Sequence, residues 1–350
     1  MIIVMNAKAT DQDVQSVVEM LEARGYGHHI SRGVERTLVG AIGTPDGEKQ
    51  AMAEQLMTLT GVERVVPILR PYKLVSREHQ EETSVVYIGD AAFGRGKLGV
   101  IAGPCTVETE AQTLEAARAV KAAGAICLRG GAFKPRTSPY DFQGLGEEAL
   151  KILAAAREET GLPVVTEARD VSHIDLVAEY ADAIQIGARN MQNYDLLHCA
   201  GESGMPVLLK RGLSATVEEW LKAAEYIASS GNLDIVLCER GIRTFETITR
   251  FTLDLAGMVA AKQETHLPII VDPSHSTGHY SLVGPMTLAA IAAGADGVII
   301  EVHPQPDQAL CDSAQQLTPN NFQKLMDKVQ QLSAVVGADL QRNSEEARTP

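Results

Sequence analysis

The chain has 350 residues, of which 45% are hydrophobic, and a formal net charge of −14 at pH 7. The length suits a barrel of roughly 250 residues plus a small module, and an acidic chain without a basic stripe argues against nucleic acid as a partner. No apolar run reaches the about 18 residues of a membrane span, the first residues lack the phases of a signal peptide, and five scattered cysteines suit a reducing cytoplasm.

Residues 1–70 read as a separate module. Strands at 2–6, 26–31, 36–43 and 62–69 alternate with helices at 11–25 and near 46–59, in the order βαββαβ. Val14, Val17, Val18 and Leu21 form an i, i+3, i+4, i+7 stripe on the first helix, which Gly25 closes. That order is the ferredoxin-like split βαβ, shared with small-molecule-sensing ACT domains. From order alone a sensor and a plain dimerisation cap are equally well supported.

A polar linker over 71–83 leads to apolar segments at 85–89 and 97–101, expected to pair as a hairpin over a barrel floor; 71–96 are therefore linker and hairpin start. From 97 to 340 the chain reads as a (β/α)8 barrel. Eight apolar runs, at 98–105, 125–131, 163–169, 182–189, 206–212, 234–241, 268–275 and 296–303, show no polar alternation, as strands buried on both faces do. Charged groups gather only at their carboxyl ends, where such a barrel carries its active site. Capping boxes are expected at Thr109–Gln112 and Thr216–Glu219, and a closing helix from about Asn321 to Val336. The tail, 341–350, reads as disordered.

The strand ends supply Arg129, Lys134, Arg136, Arg189, Lys210, Arg211, Arg240 and Arg243. Adjacent Lys210 and Arg211 repel each other unless an anion neutralises them, so the rim reads as a site for a phosphorylated, carboxylated small molecule. Cys105, His275, Glu301 and Asp312 lie at or beyond the ends of runs one, seven and eight, which adjoin in a closed barrel. One thiol, one imidazole and two carboxylates suit a divalent first-row metal. Cys127, Cys199 and Cys238 read as core residues, and His303 as either a support for Glu301 or a packing histidine.

The segments AGPCTVE (102–108), LRGGAFKPRTSPYDFQGLG (128–146), VVTEAR (164–169), QIGARNMQN (185–193), LLKRG (208–212), CERGIRTFE (238–246), VDPSHSTG (271–278) and EVHPQPDQALCD (301–312) resemble the 3-deoxy-D-arabino-heptulosonate-7-phosphate (DAHP) synthases, in the type I beta branch with an N-terminal ACT-like domain. The resemblance runs from Met1 to about residue 338. It implies condensation of phosphoenolpyruvate with erythrose 4-phosphate and water, giving DAHP and phosphate, the first step of the shikimate pathway. C3 of phosphoenolpyruvate attacks the aldehyde, water captures C2, and the phosphohemiketal releases phosphate.

It also implies roles. Cys105, His275, Glu301 and Asp312 match the metal ligands, with Mn2+ expected and Fe2+, Co2+, Zn2+ and Cu2+ admissible. Arg129, Lys134, Arg189, Lys210 and Arg240 match contacts to phosphoenolpyruvate, with Ala188 at the phosphate. Lys134, Arg136 and Thr137 match the segment that meets erythrose 4-phosphate, and Asp272 is expected at its hydroxyls. Lys134 and Glu167 are candidate proton carriers, and Lys210 and His275 count with them as catalytic. Thr106 replaces a common Ser. Cys311, beside Asp312, is expected near Cys105, where oxidation after metal loss would join the two as a disulfide.

His29 and Ser31 match positions that bind an inhibitory tyrosine or phenylalanine, in a cytoplasmic homotetramer for which a chorismate mutase is a further candidate partner. The rival enzyme reading is 3-deoxy-D-manno-octulosonate-8-phosphate synthase, which accepts arabinose 5-phosphate; a KANRS-like segment is expected there in place of KPRTS, and no ACT-like module. A catalytically retired barrel serving as an amino-acid sensor requires a broken site, and no candidate residue is missing.

Overall fold

A computed structural model describes residues 1–33, 36–66, 71–134, 138 and 140–342. The chain divides into two compact units, one ending at Lys73 and the other beginning at Leu74.

In the first unit β1 (Ile2–Met5), α1 (Asp11–Glu22), β2 (Gly27–Arg32), β3 (Thr37–Ile42), α2 (Asp46–Leu56) and β4 (Val62–Val66) follow in the βαββαβ order. The strands make one antiparallel sheet in the order β2-β3-β1-β4. Thr10 and Asp13 cap α1 reciprocally, and the helix buries Val14, Val17, Val18 and Leu21, of which Val14, Val17 and Leu21 pack with Ile3, Met5, Val39 and Leu56. Because directly paired residues share a sheet face, the pairs His29–Gly40, Ser31–Leu38 and Gly27–Ile42 set His29 and Ser31 on the same face as Leu38 and Ile42. All four side chains are exposed there. The expected extension of the last strand to residue 69 falls partly outside the described residues.

In the second unit β5 (Val86–Ile88) pairs with β6 (Ala91–Phe93) through a turn at Gly89 and Asp90. The expected pairing of 85–89 with 97–101 is thereby corrected. β7 (Lys97–Gly103) is instead the first barrel strand, followed by β8 (Cys127–Arg129), β9 (Val164–Ala168), β10 (Ala183–Ile186), β11 (Val207–Lys210), β12 (Ile235–Glu239), β13 (Ile269–Val271) and β14 (Gly297–Glu301). Each pairs in parallel with the next, and β14 returns to β7 from Gly297–Gly99 to Glu301–Gly103, closing the barrel. A short β15 (Asp339–Leu340) lies beside the start of β7. The hairpin forms the floor: Val86, Ile88 and Phe93 pack with Ile101, Val165, Leu208 and Val236. Gly99 is required beneath it, since a Cβ there would collide with the Phe93 ring.

The helices of this unit are α3 (Glu110–Ala122), α4 (Glu147–Thr160), α5 (Ile174–Tyr180), α6 (Tyr194–Glu202), α7 (Val217–Ser229), α8 (Leu255–Glu264), the short α9 (Pro273–Thr277) directly after β13, α10 (Tyr280–Ala292) and α11 (Pro319–Val336). Thr216 and Glu219 form the expected capping box. Thr109 accepts from the Gln112 amide, but the Gln112 side chain turns to the Glu108 amide instead, so only half of that box forms. Most of the tail, 343–350, lies outside the described residues.

Candidate active site

The carboxyl ends of the strands open into one cavity, lined by Arg129, Lys134, Glu167, Ala188, Arg189, Lys210, Arg240, His275 and Asp312. Arg129 and Lys210 are the last residues of β8 and β11, and Arg240 follows β12 directly. These five cations, with Arg250 as a sixth, face a common space in an acidic protein, where the low-dielectric walls strengthen their pull on an anion. Arg129 Nε and Arg240 Nη1 are buried and have no hydrogen-bond partner among the described residues. Buried guanidinium donors of that kind normally hold a partner, so these two remain available to a ligand, while the other Arg129 nitrogens donate to Glu301 and the Cys105 carbonyl.

Lys134 is buried, which disfavours its charge, yet the Cys105 and Glu301 side chains outweigh burial and raise its pKa. It is held as a cation, which suits substrate binding better than proton removal. Glu167 accepts from Gln185 Nε2 at 3.1 Å and is half-buried on the cavity wall.

The other expected residues are placed differently. Arg211 does not line the cavity. It turns away from Lys210 and is buried against Glu239 at 2.9 Å and Asp254 at 2.8 Å, so these carboxylates, not a bound anion, relieve the like-charge repulsion. Asp272 is fully buried and corrects the expectation of a substrate contact. Its carboxylate accepts from Lys210 Nζ at 2.5 Å and meets His275 Nδ1 at 2.7 Å, which places it behind the cavity wall. Burial pushes its pKa up, but His275 and Lys210 hold it well below the carboxylate range. Arg243 is exposed outside the cavity. Arg136 and Thr137 lie outside the described residues.

Cys105, Cys311 and Asp312 bring their donor atoms within 4.8 Å of one another, as do His275, Glu301 and Asp312, so the two trios share Asp312. Gly103 allows this: a Cβ there would strike the Arg129 carbonyl, and the turn that follows sets the Cys105 carbonyl 3.2 Å from Arg129 Nη2. Cys105 Sγ lies 3.3 Å from Asp312 Oδ2, and His275 Nε2 lies 3.3 Å from Glu301 Oε1. Asp312 sits at a φ of 49°, a left-handed conformation that aspartate adopts more readily than most residues.

Burial lowers the His275 pKa, which favours the neutral, ligating ring. Against burial, Arg250, His275 and Lys134 hold the Asp312 carboxyl down at about 2. Burial, helped by Cys311 and Glu301, pushes the Cys105 thiol well up, so a metal would have to displace its proton. A thiol trio and an imidazole–carboxylate trio joined at Asp312 offer the soft, borderline and hard donors that suit a divalent first-row ion. The proximity of Cys311 to Cys105 agrees with the expectation made for it. His303 Nε2 faces Glu108 at 3.6 Å, and His303 is buried and does not line the cavity.

Sequence reasoning missed Gln185, Arg250 and Phe251, which also line the cavity. Phe251 lies beneath Arg240, whose guanidinium carbon is 4.2 Å from the ring centroid. Both Arg250 and Phe251 follow β12 by more than ten residues, too far for a strand-end rule to reach.

The chain matches the model of the DAHP synthetase I family over residues 75–337, and that of the DAHP synthase ferredoxin-like domain over residues 1–70. It is 50% identical over 337 residues to a phospho-2-dehydro-3-deoxyheptonate aldolase of Thermotoga maritima, covering 96% of this chain and 99% of that one. A crystal structure of a Thermotoga maritima enzyme of that name superposes with a TM-score of 0.79 at 48% identity, over 97% of this chain and 98% of that chain. A truncated form of the Thermotoga maritima synthase covers 77% of this chain and all of its own, with a TM-score of 0.73. A 2-dehydro-3-deoxyphosphooctonate aldolase of Syntrophotalea carbinolica is 35% identical over 268 residues, covering 71% of this chain and 96% of its own length.

Proposed function

The chain belongs to the DAHP synthetase I family, and from that premise we propose how its residues divide the work. The enzyme is a DAHP synthase, condensing phosphoenolpyruvate with erythrose 4-phosphate and water to give DAHP and phosphate. The octulosonate relatives match less of the chain and at lower identity.

The observation that carries the assignment of residues is the shared cavity: six cations line one space together with His275 and Asp312, and Asp312 belongs to both ligand trios. Arg129, Lys134, Arg189, Lys210 and Arg240 bind the phosphate and carboxylate of phosphoenolpyruvate, with Ala188 beside the phosphate. Their summed charge lets two anionic substrates lie together, a proximity effect joined to electrostatic stabilisation of the developing charge. Lys134 continues toward erythrose 4-phosphate, with Arg136 and Thr137 beyond it in sequence. Glu167, on β9 and half-buried at the cavity wall, exchanges a proton with the water that adds to C2.

Cys105, His275, Glu301 and Asp312 would hold the divalent ion, Mn2+ by preference. When bound, the ion supplies Lewis-acid polarisation of the aldehyde. Asp272 keeps Lys210 and His275 in register with each other. In the first unit, His29 and Ser31 bind the aromatic amino-acid effector. The exposed Leu38 and Ile42 around them support self-association into a tetramer through that sheet. Five cysteines outside any disulfide support a cytoplasmic setting, and no helix among the described residues is long and apolar enough to cross a membrane.

The assignment is tested by stripping the protein of metal and assaying phosphate release from the two substrates. Activity should vanish, return with Mn2+, and fail to return in Asp312→Asn. Full turnover by the metal-free protein would refute the ligand assignment.

A further inference from the structure

Beyond the four ligands lies a pair of adjacent, nearly fully buried glutamines, Gln315 and Gln316, each 2% exposed. They follow Asp312, Gln315 closing a single turn of 3-10 helix, Ser313–Gln315, and Gln316 capping it in an extended conformation. Gln315 Nε2 donates to Glu301 Oε2 at 2.7 Å, while its Oε1 accepts from Arg250 Nη1 at 3.0 Å. The same Arg250 nitrogen donates to Asp312 Oδ1 at 3.2 Å. Gln316 faces the other way: its Oε1 accepts from the Cys105 amide at 3.1 Å, and its Nε2 donates to the Cys311 carbonyl at 2.9 Å. The segment carrying Arg250 is also tied to the helix of His275, because the Arg250 amide donates to the Thr277 carbonyl and the Phe251 amide to that of Ser276.

We propose that Gln315, Gln316 and Arg250 form an outer clamp that sets the donor atoms of the metal site, acting as positioning residues for Glu301, Cys105 and Asp312. The proposal rests on the reading that Cys105, His275, Glu301 and Asp312 hold a divalent ion. Outer partners of this kind orient metal ligands and tune their basicity.

Glutamine is demanded at both positions by its two unlike ends. Position 315 must donate to a carboxylate and accept from a guanidinium, and position 316 must accept from an amide and donate to a carbonyl. A glutamate at 315 would set a carboxylate against Glu301, and a leucine at either position would leave buried partners unmatched. With Oε2 of Glu301 held by Gln315, Oε1 is the oxygen turned toward His275 and Arg129. Arg250 makes the clamp continuous, since it joins the Glu301 support to Asp312 from the cavity wall.

The test is Co2+ titration of metal-stripped wild type, Q315E, Q316L, R250M and R250K, read by the cobalt ligand-field and thiolate-to-cobalt absorption bands. Removing an outer partner typically weakens metal binding about 10–100-fold, and that is the expected loss for Q315E and Q316L. Q316L should also shift the thiolate band, because it releases the Cys105 backbone. R250M should weaken cobalt binding about tenfold on the same grounds, with most of the loss restored in R250K. Arg250 is partly exposed, so R250M keeps the measurement open if a glutamine variant does not fold. Wild-type affinity and spectrum in R250M and in the folded glutamine variants would overturn the clamp. Wild-type protein that takes up no cobalt would overturn the metal reading itself, and the clamp with it.

Discussion

Asp272 holds two cavity residues with one carboxylate: Lys210 from β11 and His275 from α9 both bond to it. Asp272→Asn keeps the shape but makes one end a donor, which must then face Lys210 or the ring nitrogen. Turnover should fall on the order of 100-fold, the upper range for loss of an outer partner of a metal ligand. Steady-state kinetics checks this, and a fall of less than about threefold would return Asp272 to a passive role. Cys105 and Cys311 make a second residue-scale prediction. In metal-stripped protein treated with hydrogen peroxide, the two thiols should give up two electrons and two protons to form a disulfide, with water as the other product. Thiol counting should show two fewer thiols, and Cys311→Ser should protect activity; equal loss in that variant would exclude the disulfide. Lys210 at the end of β11 faces the cavity while Arg211 after it does not, as the alternation of side chains along a strand implies. That periodicity was visible in the sequence, whereas their carboxylate partners Asp272, Glu239 and Asp254 lie 28 to 62 residues away.

At the scale of elements, the barrel strands were legible because burial on both faces leaves an unbroken apolar run, and the helix starts because their caps are local. The floor hairpin was not. Val86–Ile88 pairs with Ala91–Phe93 rather than with 97–101, since the Gly89-Asp90 turn lets the nearer segment fold back first. The sequence carried that turn, but the next apolar run was longer and drew the pairing. Phe93 is fully buried among the lower strand residues, so Phe93→Ala should cost about 3–5 kcal/mol of stability. Its KM values should stay unchanged, because the floor is at the opposite end of the strands from the cavity. Urea unfolding with parallel kinetics checks both, and a cost under about 1 kcal/mol would show that the hairpin is not the floor of the core.

For the whole molecule, the division after Lys73 separates a small antiparallel sheet from the barrel whose residues line the described cavity. Deleting residues 1–70 should therefore leave turnover in place and abolish inhibition by tyrosine or phenylalanine; inhibition retained by the barrel alone would remove the sensor role from His29 and Ser31. The effector must favour one arrangement of the molecule over another to act at all. Motif spacing made the family and most of the cavity legible, whereas the supports of the site were not, because Gln315, Gln316, Arg250 and Asp272 act through partners that only the closed barrel brings near. The central claim is that this cavity joins phosphoenolpyruvate to the four-carbon aldose. The most direct measurement is phosphate release by the Mn2+-loaded protein from phosphoenolpyruvate, with erythrose 4-phosphate or arabinose 5-phosphate as the second substrate. Release with erythrose 4-phosphate and little with arabinose 5-phosphate is the predicted result; preference for arabinose 5-phosphate, or no release with either, would contradict it.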